Sequence, residues 1–354
     1  MKLNTIIDLS VRNIKQAYFA VTGQTHRIVP YKVVVELTNQ CNSRCVTCDI
    51  WKVKKEDVVK IDLEKFEFFL QQMGDHLLWL ALTGGEITSF NQFPQVVNAI
   101  KKHSRKLRIL TFTTNGLLPQ RILEYALIMK QAVDCDIFVT ISLDGDEATH
   151  DRLRGVKGNY ARCMETYDLL RAHGIDCHFG ITVSEGNADF IQKAYAVYSN
   201  KIKAVTLFHA GGIFLNEQEQ PTAQADEKII AALKEIYRHY KIKALGEVLI
   251  KLYIRIGILF MQKKRSTNII TCDVGLSSAH LMSNGELMQC MYLRPITTVD
   301  EHFRLTDYHN AIATSQLADI KQNKCPHCWM SCYGPHSMLQ APLQSISTLL
   351  TKIE

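Results

Sequence analysis

Short apolar runs rich in β-branched residues alternate along the chain with longer stretches of helical period. The runs cover residues 31–37, 77–82, 107–113, 136–143, 175–183 and 204–209, and their composition predicts strands. Helical spacing covers 63–73, 93–103, 119–132, 160–173 and 188–199, several closed by a turn residue, as Gly174 closes the fourth. Strand–helix units repeated in this way demand a parallel sheet with right-handed crossovers. Six such units are visible, and in barrels of this kind the chemistry sits on loops at the C-terminal ends of the strands.

The flanks read differently. Near the N-terminus, Ile6, Ile7, Val11, Ile14, Tyr18 and Val21 are punctuated by charges, which predicts an amphipathic helix rather than a signal peptide. A long helical stretch is expected from about residue 226 to 264. Its apolar part, 248–261, is interrupted by Lys251 and Arg255 and followed by Lys263, Lys264 and Arg265. It reads as a core helix, with contact to a membrane surface or a greasy substrate as the alternative. Beyond it, 279–282 and 286–291 predict a β-hairpin turning on Ser283-Asn284-Gly285.

Composition narrows the class. A chain of 354 residues, 47% hydrophobic, can bury a large core and suggests two domains. The charge of +6 arises from 41 basic and 35 acidic residues spread along the chain with no run of five or more like charges, so nucleic-acid binding is not indicated. No apolar stretch approaches the ~20 residues of a membrane span, and membrane contact is not expected. Of the 11 cysteines, only Cys135, Cys163 and Cys177 are scattered. The rest form two clusters whose thiols must stay reduced, which predicts a cytoplasmic protein.

The first cluster is Cys41, Cys45 and Cys48, on the loop that leaves the first strand. Three thiolates at that spacing can hold three irons of a four-iron four-sulfur cubane and leave the fourth open to a small molecule. The alternatives are a structural zinc site, which wants four N or S ligands, or three unconnected core cysteines. C-x3-C-x2-C after the first strand resembles the signature of the radical S-adenosylmethionine (radical SAM) superfamily. That resemblance implies an α/β fold, a partial (β/α)6 TIM-like barrel with a small C-terminal α+β auxiliary-cluster domain. It also implies a 4Fe-4S cluster on Cys41, Cys45 and Cys48. S-adenosylmethionine (AdoMet) would be cleaved by one electron to a 5′-deoxyadenosyl radical that takes hydrogen from the substrate, the electron coming from a donor such as flavodoxin or ferredoxin.

Thr83-Gly84-Gly85-Glu86 follows the second strand. Two glycines let a backbone turn sharply and approach a ligand, and in the family the matching Gly84, Gly85 and Glu86 hold the methionine amino group. The resemblance further implies that Ser142 and Arg154 bind the ribose and carboxylate of the cofactor, a guanidinium suiting a carboxylate through its planar fork. Thr114, Asn115 and Asp144 stand at the same strand ends, either as cofactor contacts or as ordinary turn residues. Thr182 could help cradle adenine or simply pack. Where the family commonly has an aromatic residue before the third cysteine this chain has Thr47, and Trp51 is a candidate to replace it.

The second cluster comprises Cys272, Cys290, Cys325, Cys328 and Cys332. Its layout, C-x12-G-x4-C then C-x2-C-x3-C, is similar to the SPASM and Twitch auxiliary domains and implies one auxiliary 4Fe-4S cluster on Cys272, Cys290, Cys325 and Cys328. Cys332 would be a substitute ligand or a spare thiol; a zinc ribbon is the rival. His327 reads as a solvated loop residue. The expected domains are an N-terminal helix over 1–30, the barrel over 31–225, a linking helical segment over 226–265, the auxiliary-cluster domain over 266–340 and a tail over 341–354. Enzymes with this layout act on cyclitols, sulfatases and peptides. The residues before the first strand leave no room for the leader-binding module of many peptide-modifying members. The expected substrate is therefore a small molecule such as a sugar, cyclitol or biosynthetic intermediate, in an oxidation or rearrangement, with a peptide-modifying maturase as the alternative. A non-catalytic iron–sulfur carrier is a third reading, which a cofactor cradle would not serve.

Overall fold

The computed structural model describes residues 3–209, 212, 223–243, 245–264, 269–322, 324–325 and 327–353. Helix α1 (Leu3–Val21) precedes strand β1 (Lys32–Glu36), which is buried along its whole length. Five further strands follow, β2 (Trp79–Thr83), β3 (Ile109–Thr114), β4 (Asp136–Ser142), β5 (Asp176–Val183) and β6 (Ile202–Leu207). Every neighbouring pair from β1 to β6 is parallel. The alternation of strand and helix expected from the sequence is therefore an open, partial barrel of the α/β class.

The connecting helices are α2 (Leu63–Met73), α3 (Phe93–His103), α4 (Pro119–Ala132), α5 (Glu147–Arg154), α6 (Asn159–Ala172) and α7 (Glu185–Tyr198). Their starts are written locally. Asp62 accepts from the backbone N–H groups of Glu64 and Lys65 at the head of α2, satisfying donors that no helical turn can reach. Proline occupies the first turn of α3 and α4, where its missing N–H costs nothing. Helix α5 was not expected as a helix. It has no apolar stripe, burying only His150 and Leu153, and it is made by its ends: Asp146 caps it and Gly155, at φ +63°, closes it.

The expected helical stretch after residue 226 is two helices, α8 (Ala223–His239) and α9 (Leu245–Gln262). Tyr253, Ile254, Ile256, Ile258 and Phe260 of α9 are buried, so this is a core helix; Arg265 lies outside the described residues, as does the expected boundary at 265 and 266. No helix among the described residues is long and apolar enough to cross a membrane.

The C-terminal part joins the barrel sheet instead of forming a sheet of its own. Strand β7 (Ser278–Leu281) pairs parallel with β1, Lys32 opposite Ser278 and Val35 opposite Leu281. Strands β8 (Glu286–Met288) and β9 (Thr297–Thr298) continue it antiparallel, giving the order β6-β5-β4-β3-β2-β1-β7-β8-β9. The expected hairpin is present, with Gly285 at φ +87° in its turn. Helices α10 (Ala311–Lys321), α11 (Gly334–Gln340) and α12 (Pro342–Ser347) complete the chain. One apolar core runs from Val33 and Phe66 on the barrel through Phe260 to Leu281 and Leu287 on the hairpin.

Candidate functional site

The loop carrying Cys41, Cys45 and Cys48 is held from three sides at the C-terminal end of the sheet. On the first side, Gly85 N–H donates to Thr38 O (2.7 Å) and Glu86 N–H to Gln40 O (2.8 Å). The close approach that Gly84 and Gly85 permit is to this loop: a Cβ on Gly84 would stand 2.6 Å from Thr38 O, and one on Gly85 would strike Gln40 O. On the second side, the Asn115 amide donates to Asn42 Oδ1 (2.7 Å) and Ser43 Oγ (3.0 Å). On the third, Arg44 and Val46 N–H donate to Arg154 O and Leu153 O, each at 2.9 Å, seating the loop on the C-terminus of α5. Burial pushes the Cys41 thiol up to about 12 and Cys48 up to about 11. A metal binding there must displace those protons.

Glu86 is buried beneath this loop. Its Oε1 accepts from Thr114 Oγ1 (2.7 Å), Thr88 Oγ1 (2.9 Å) and Thr88 N (3.2 Å), and its Oε2 accepts from Asn115 N (2.7 Å). Burial raises its pKa, and the Asn115 and Thr114 hydrogen bonds oppose the rise. The carboxylate thus ties the end of β2 to the end of β3. One acceptor direction of Oε2 remains for an ammonium group.

Arg154 stands opposite. Its Nε pairs with Asp144 Oδ2 at 2.7 Å and its Nη1 approaches Cys45 Sγ at 3.7 Å. Burial alone would lower the guanidinium pKa; Asp144, then Cys45, more than reverse this and hold it above the ordinary value. Asp144 is positioned in turn, its Oδ1 accepting from Thr182 N (3.0 Å) and its N–H donating to His150 Nδ1 (3.0 Å). That donation assigns the His150 proton to Nε2, which faces Asn159 Oδ1 at 3.1 Å. Asn159 reaches back to Asn115 O (2.9 Å), and Asn187 holds Asp144 O (3.0 Å). Sequence reasoning gave His150, Asn159 and Asn187 no role, because their partners lie on other strand ends.

Cys41, Cys45, Cys48, Gly84, Gly85, Glu86, Ser142 and Arg154 all line one cavity of about 220 Å³. Thr47, Trp51, Thr114, Asn115 and Thr182 line it too, but Asp144 does not and acts on it through Arg154. Trp51 is oriented by donation from its Nε1 to Cys45 O (3.2 Å). The wall also includes Phe208, His209 and Met330, which sequence reasoning did not single out. The rule that active groups gather at strand ends would have found the first two, since they follow β6 directly. His209 Nε2 accepts from Trp329 N (3.2 Å), so this wall is fixed by the segment that carries the second cluster.

Cys272, Cys290, Cys325, Cys328 and Cys332 gather about one small apolar cluster with Val274, Met291, Met330 and Tyr333. Burial, then the neighbouring thiols Cys272 and Cys290, push the Cys328 thiol well up. Cys332 is drawn in by its backbone, whose O accepts from Lys32 Nζ at 3.1 Å. His327 adopts φ +46°, its Nδ1 4.0 Å from Cys325 Sγ. Among the described residues no three His, Cys, Asp or Glu side chains converge on one ion. The donors at both places are soft thiols, Cys290 buried and the others half-buried, a set that suits an iron–sulfur cluster.

The sequence profile described as "Radical SAM superfamily" matches residues 35–195. Curated relatives include the antilisterial bacteriocin subtilosin biosynthesis protein AlbA of Bacillus subtilis (strain 168). It is 30% identical over 168 residues, 47% of this chain and 36% of that protein. The sporulation killing factor maturation protein SkfB of the same strain is 28% identical over 192 residues, 54% of this chain and 44% of that one. The chain thus matches less than half the length of each. The AdoMet-dependent heme synthase of Methanosarcina barkeri (strain Fusaro / DSM 804) is 25% identical over 320 residues, 84% of this chain and 88% of that one. Among solved structures, native anSMEcpe with bound AdoMet superposes at TM-score 0.61 with 13% identity, covering 91% of this chain and 100% of that one. Streptococcus suis SuiB bound to precursor peptide SuiA superposes at 0.59 with 17% identity, covering 84% and 69%. The profile spans the cysteine loop, the Gly84–Glu86 turn, Ser142 and Arg154, and residues 35–195 of this chain are a radical SAM domain.

Proposed function

We propose that this chain is a radical SAM enzyme that modifies a peptide, with a 4Fe-4S cluster on Cys41, Cys45 and Cys48 and AdoMet beside it. The observation that carries the reading is the meeting of that cysteine loop with Gly84, Glu86, Ser142 and Arg154 in one cavity. When bound, the two cofactors supply one-electron cleavage of the sulfonium C5′–S bond and a 5′-deoxyadenosyl radical that takes a hydrogen atom from the substrate. The chain supplies binding and orientation. The Nη donors of Arg154 that Asp144 leaves free suit the cofactor carboxylate, the Ser142 hydroxyl suits the ribose, and Oε2 of Glu86 suits the ammonium. Trp51 offers a face for adenine, and Phe208 and Met330 exclude water from the substrate side.

The peptide class is supported by the names of AlbA and SkfB and by the fold shared with SuiB. It replaces the small molecule expected from the short N-terminal segment. The small-molecule reading keeps one support, the heme synthase that aligns over 84% of the chain. We further infer that residues 266–340 hold one auxiliary 4Fe-4S cluster on Cys272, Cys290, Cys325 and Cys328, with Cys332 as a fifth thiol. Met330, which belongs both to that cysteine cluster and to the cavity wall, supports a place beside the substrate. A flavodoxin or ferredoxin as donor and a cytoplasmic setting belong to the same proposal.

Anaerobic reconstitution followed by reduction should convert AdoMet to 5′-deoxyadenosine and methionine. With peptides encoded beside the gene, mass spectrometry should find one that loses hydrogen in step with 5′-deoxyadenosine formation. No cleavage by fully reconstituted protein would defeat the enzyme assignment. Cleavage coupled to a metalloporphyrin and to no peptide would defeat the peptide class alone.

A further inference from the structure

The N-terminal helix is mounted with its polar side inward. Thr5 Oγ1 donates to Asp136 Oδ2 (2.8 Å), Asp8 pairs with Arg108 (2.5 Å), and Arg12 donates to His76 O (2.8 Å). Gln16 donates to Val29 O (3.0 Å) and Leu276 O (3.2 Å). These partners stand at the starts of β4, β3, β2, β1 and β7, so α1 lies across the N-terminal ends of the strands, at the end of the sheet away from the cysteine loop.

What faces out is apolar. Ile7, Val11, Ile14, Tyr18 and Val21 are 49–87% exposed. Their spacing of four, three, four and three residues is a two-position heptad seam, narrower than the stripe a helix uses against a globular core. Helix α11 packs beside α1, the Gln340 amide donating to Asn13 Oδ1 at 2.6 Å. Just beyond it Leu343, Ile346 and Leu350 are 58–91% exposed. The five side chains of α1 expose roughly 550 Å² and the three beyond α11 roughly 400 Å² more, the first near the largest apolar patch a monomer commonly leaves in water and the sum comparable with the ~800 Å² that each partner contributes to a standard-size interface.

We propose that this seam is the two-fold interface of a homodimer, each α1 packing against its symmetry mate. A helix docking on lipid presents a cationic polar face beside its apolar one. Here Asp8 and Arg12 are turned towards the barrel, and Lys15, 5.7 Å over the Phe19 ring, is the one exposed cation among the described residues of α1, a single charge and not a cationic collar. The seam itself carries no charge, so two copies of it meet without like-charge repulsion, as an isologous contact requires.

Sedimentation equilibrium of the full chain should give twice the 40.3 kDa of one copy. Ile14→Glu and Ile14→Lys, both at an exposed position, should each give a single-copy mass with unchanged circular dichroism, and mixing the two should restore the double mass. A wild-type chain that stays at 40.3 kDa through the micromolar range overturns the proposal. So does a double mass that survives both variants. Flotation of a monomeric wild type with phosphatidylglycerol–phosphatidylcholine vesicles, lost in Ile14→Glu, would overturn it in favour of a lipid surface.

Discussion

At the scale of single residues, Arg154 has two tasks, since the guanidinium that would hold the AdoMet carboxylate also approaches Cys45 and pairs with Asp144. Arg154→Ala should weaken AdoMet binding by about 10- to 100-fold, the worth of a charge-assisted hydrogen bond. It should also loosen the cysteine loop, so iron retention is measured beside affinity. Glu86→Gln keeps the shape but turns an amide donor towards Thr88, Thr114 or Asn115 N–H. It should cost about 1–3 kcal/mol of stability, read as a lower melting temperature. His150 tests the layer beneath. Burial, with Arg154 nearby, lowers its pKa from 6.5 to about 4, so between those values the unfolded chain binds a proton that the folded chain refuses. Stability attributable to His150 is therefore complete above about pH 6.5 and falls as pH drops towards 4, by up to about 3 kcal/mol. His150→Gln should flatten that acid limb in melts run from pH 7 downward. The site was legible in the sequence where its residues are neighbours along the chain, as in the two cysteine clusters and the Gly84–Glu86 turn. It was not legible at His150, Asn159 and Asn187, whose meaning depends on which strand ends meet.

At the scale of elements, α2, α3 and α4 begin and end where the sequence predicts, because caps and first-turn prolines are local signals. Helix α5 and the late helices escaped because they lack a regular apolar stripe. Helix α1 has such a stripe, and only the structure shows that it points away from the core: period alone does not say which face a helix buries when the partner surface is a row of strand-end carbonyls and charges. The two-glycine turn after β2 is a packing device, closing the strand end onto Thr38 and Gln40 of the cysteine loop, besides the ligand-holding role proposed for it. Gly85→Ala should push the cysteine loop off Gln40 O, cost about 2–4 kcal/mol and reduce the iron held at that loop. Gly246→Ala, where an added Cβ has open space at the start of α9, should be neutral or stabilising by up to about 1 kcal/mol. Thermal melts of the pair separate close approach from a general intolerance of alanine.

At the scale of the whole molecule, β7 pairs with β1 and one apolar core spans barrel and hairpin. The cysteine-rich part is thus not a bead on a linker, a point the sequence could not disclose because a hairpin's partner is never written in the hairpin. Calorimetry should record a single cooperative transition. A variant with Cys325→Ala and Cys328→Ala should lower that transition instead of splitting it. Full reconstitution should give about eight irons per chain, and about four in that variant. A wild-type limit near four irons with stoichiometric zinc would defeat the auxiliary cluster and leave the barrel assignment standing.

The triad loop is pinned by Gln40, Asn42, Ser43 and Arg44 to three different strand or helix ends, all through bonds that need no iron. Its shape is therefore set before assembly, and little ordering remains for metal insertion to bring about. If the proposed cluster sits on this loop, its oxidative loss in air would leave a standing socket that can be recharged, and not a damaged chain that must be degraded and made again.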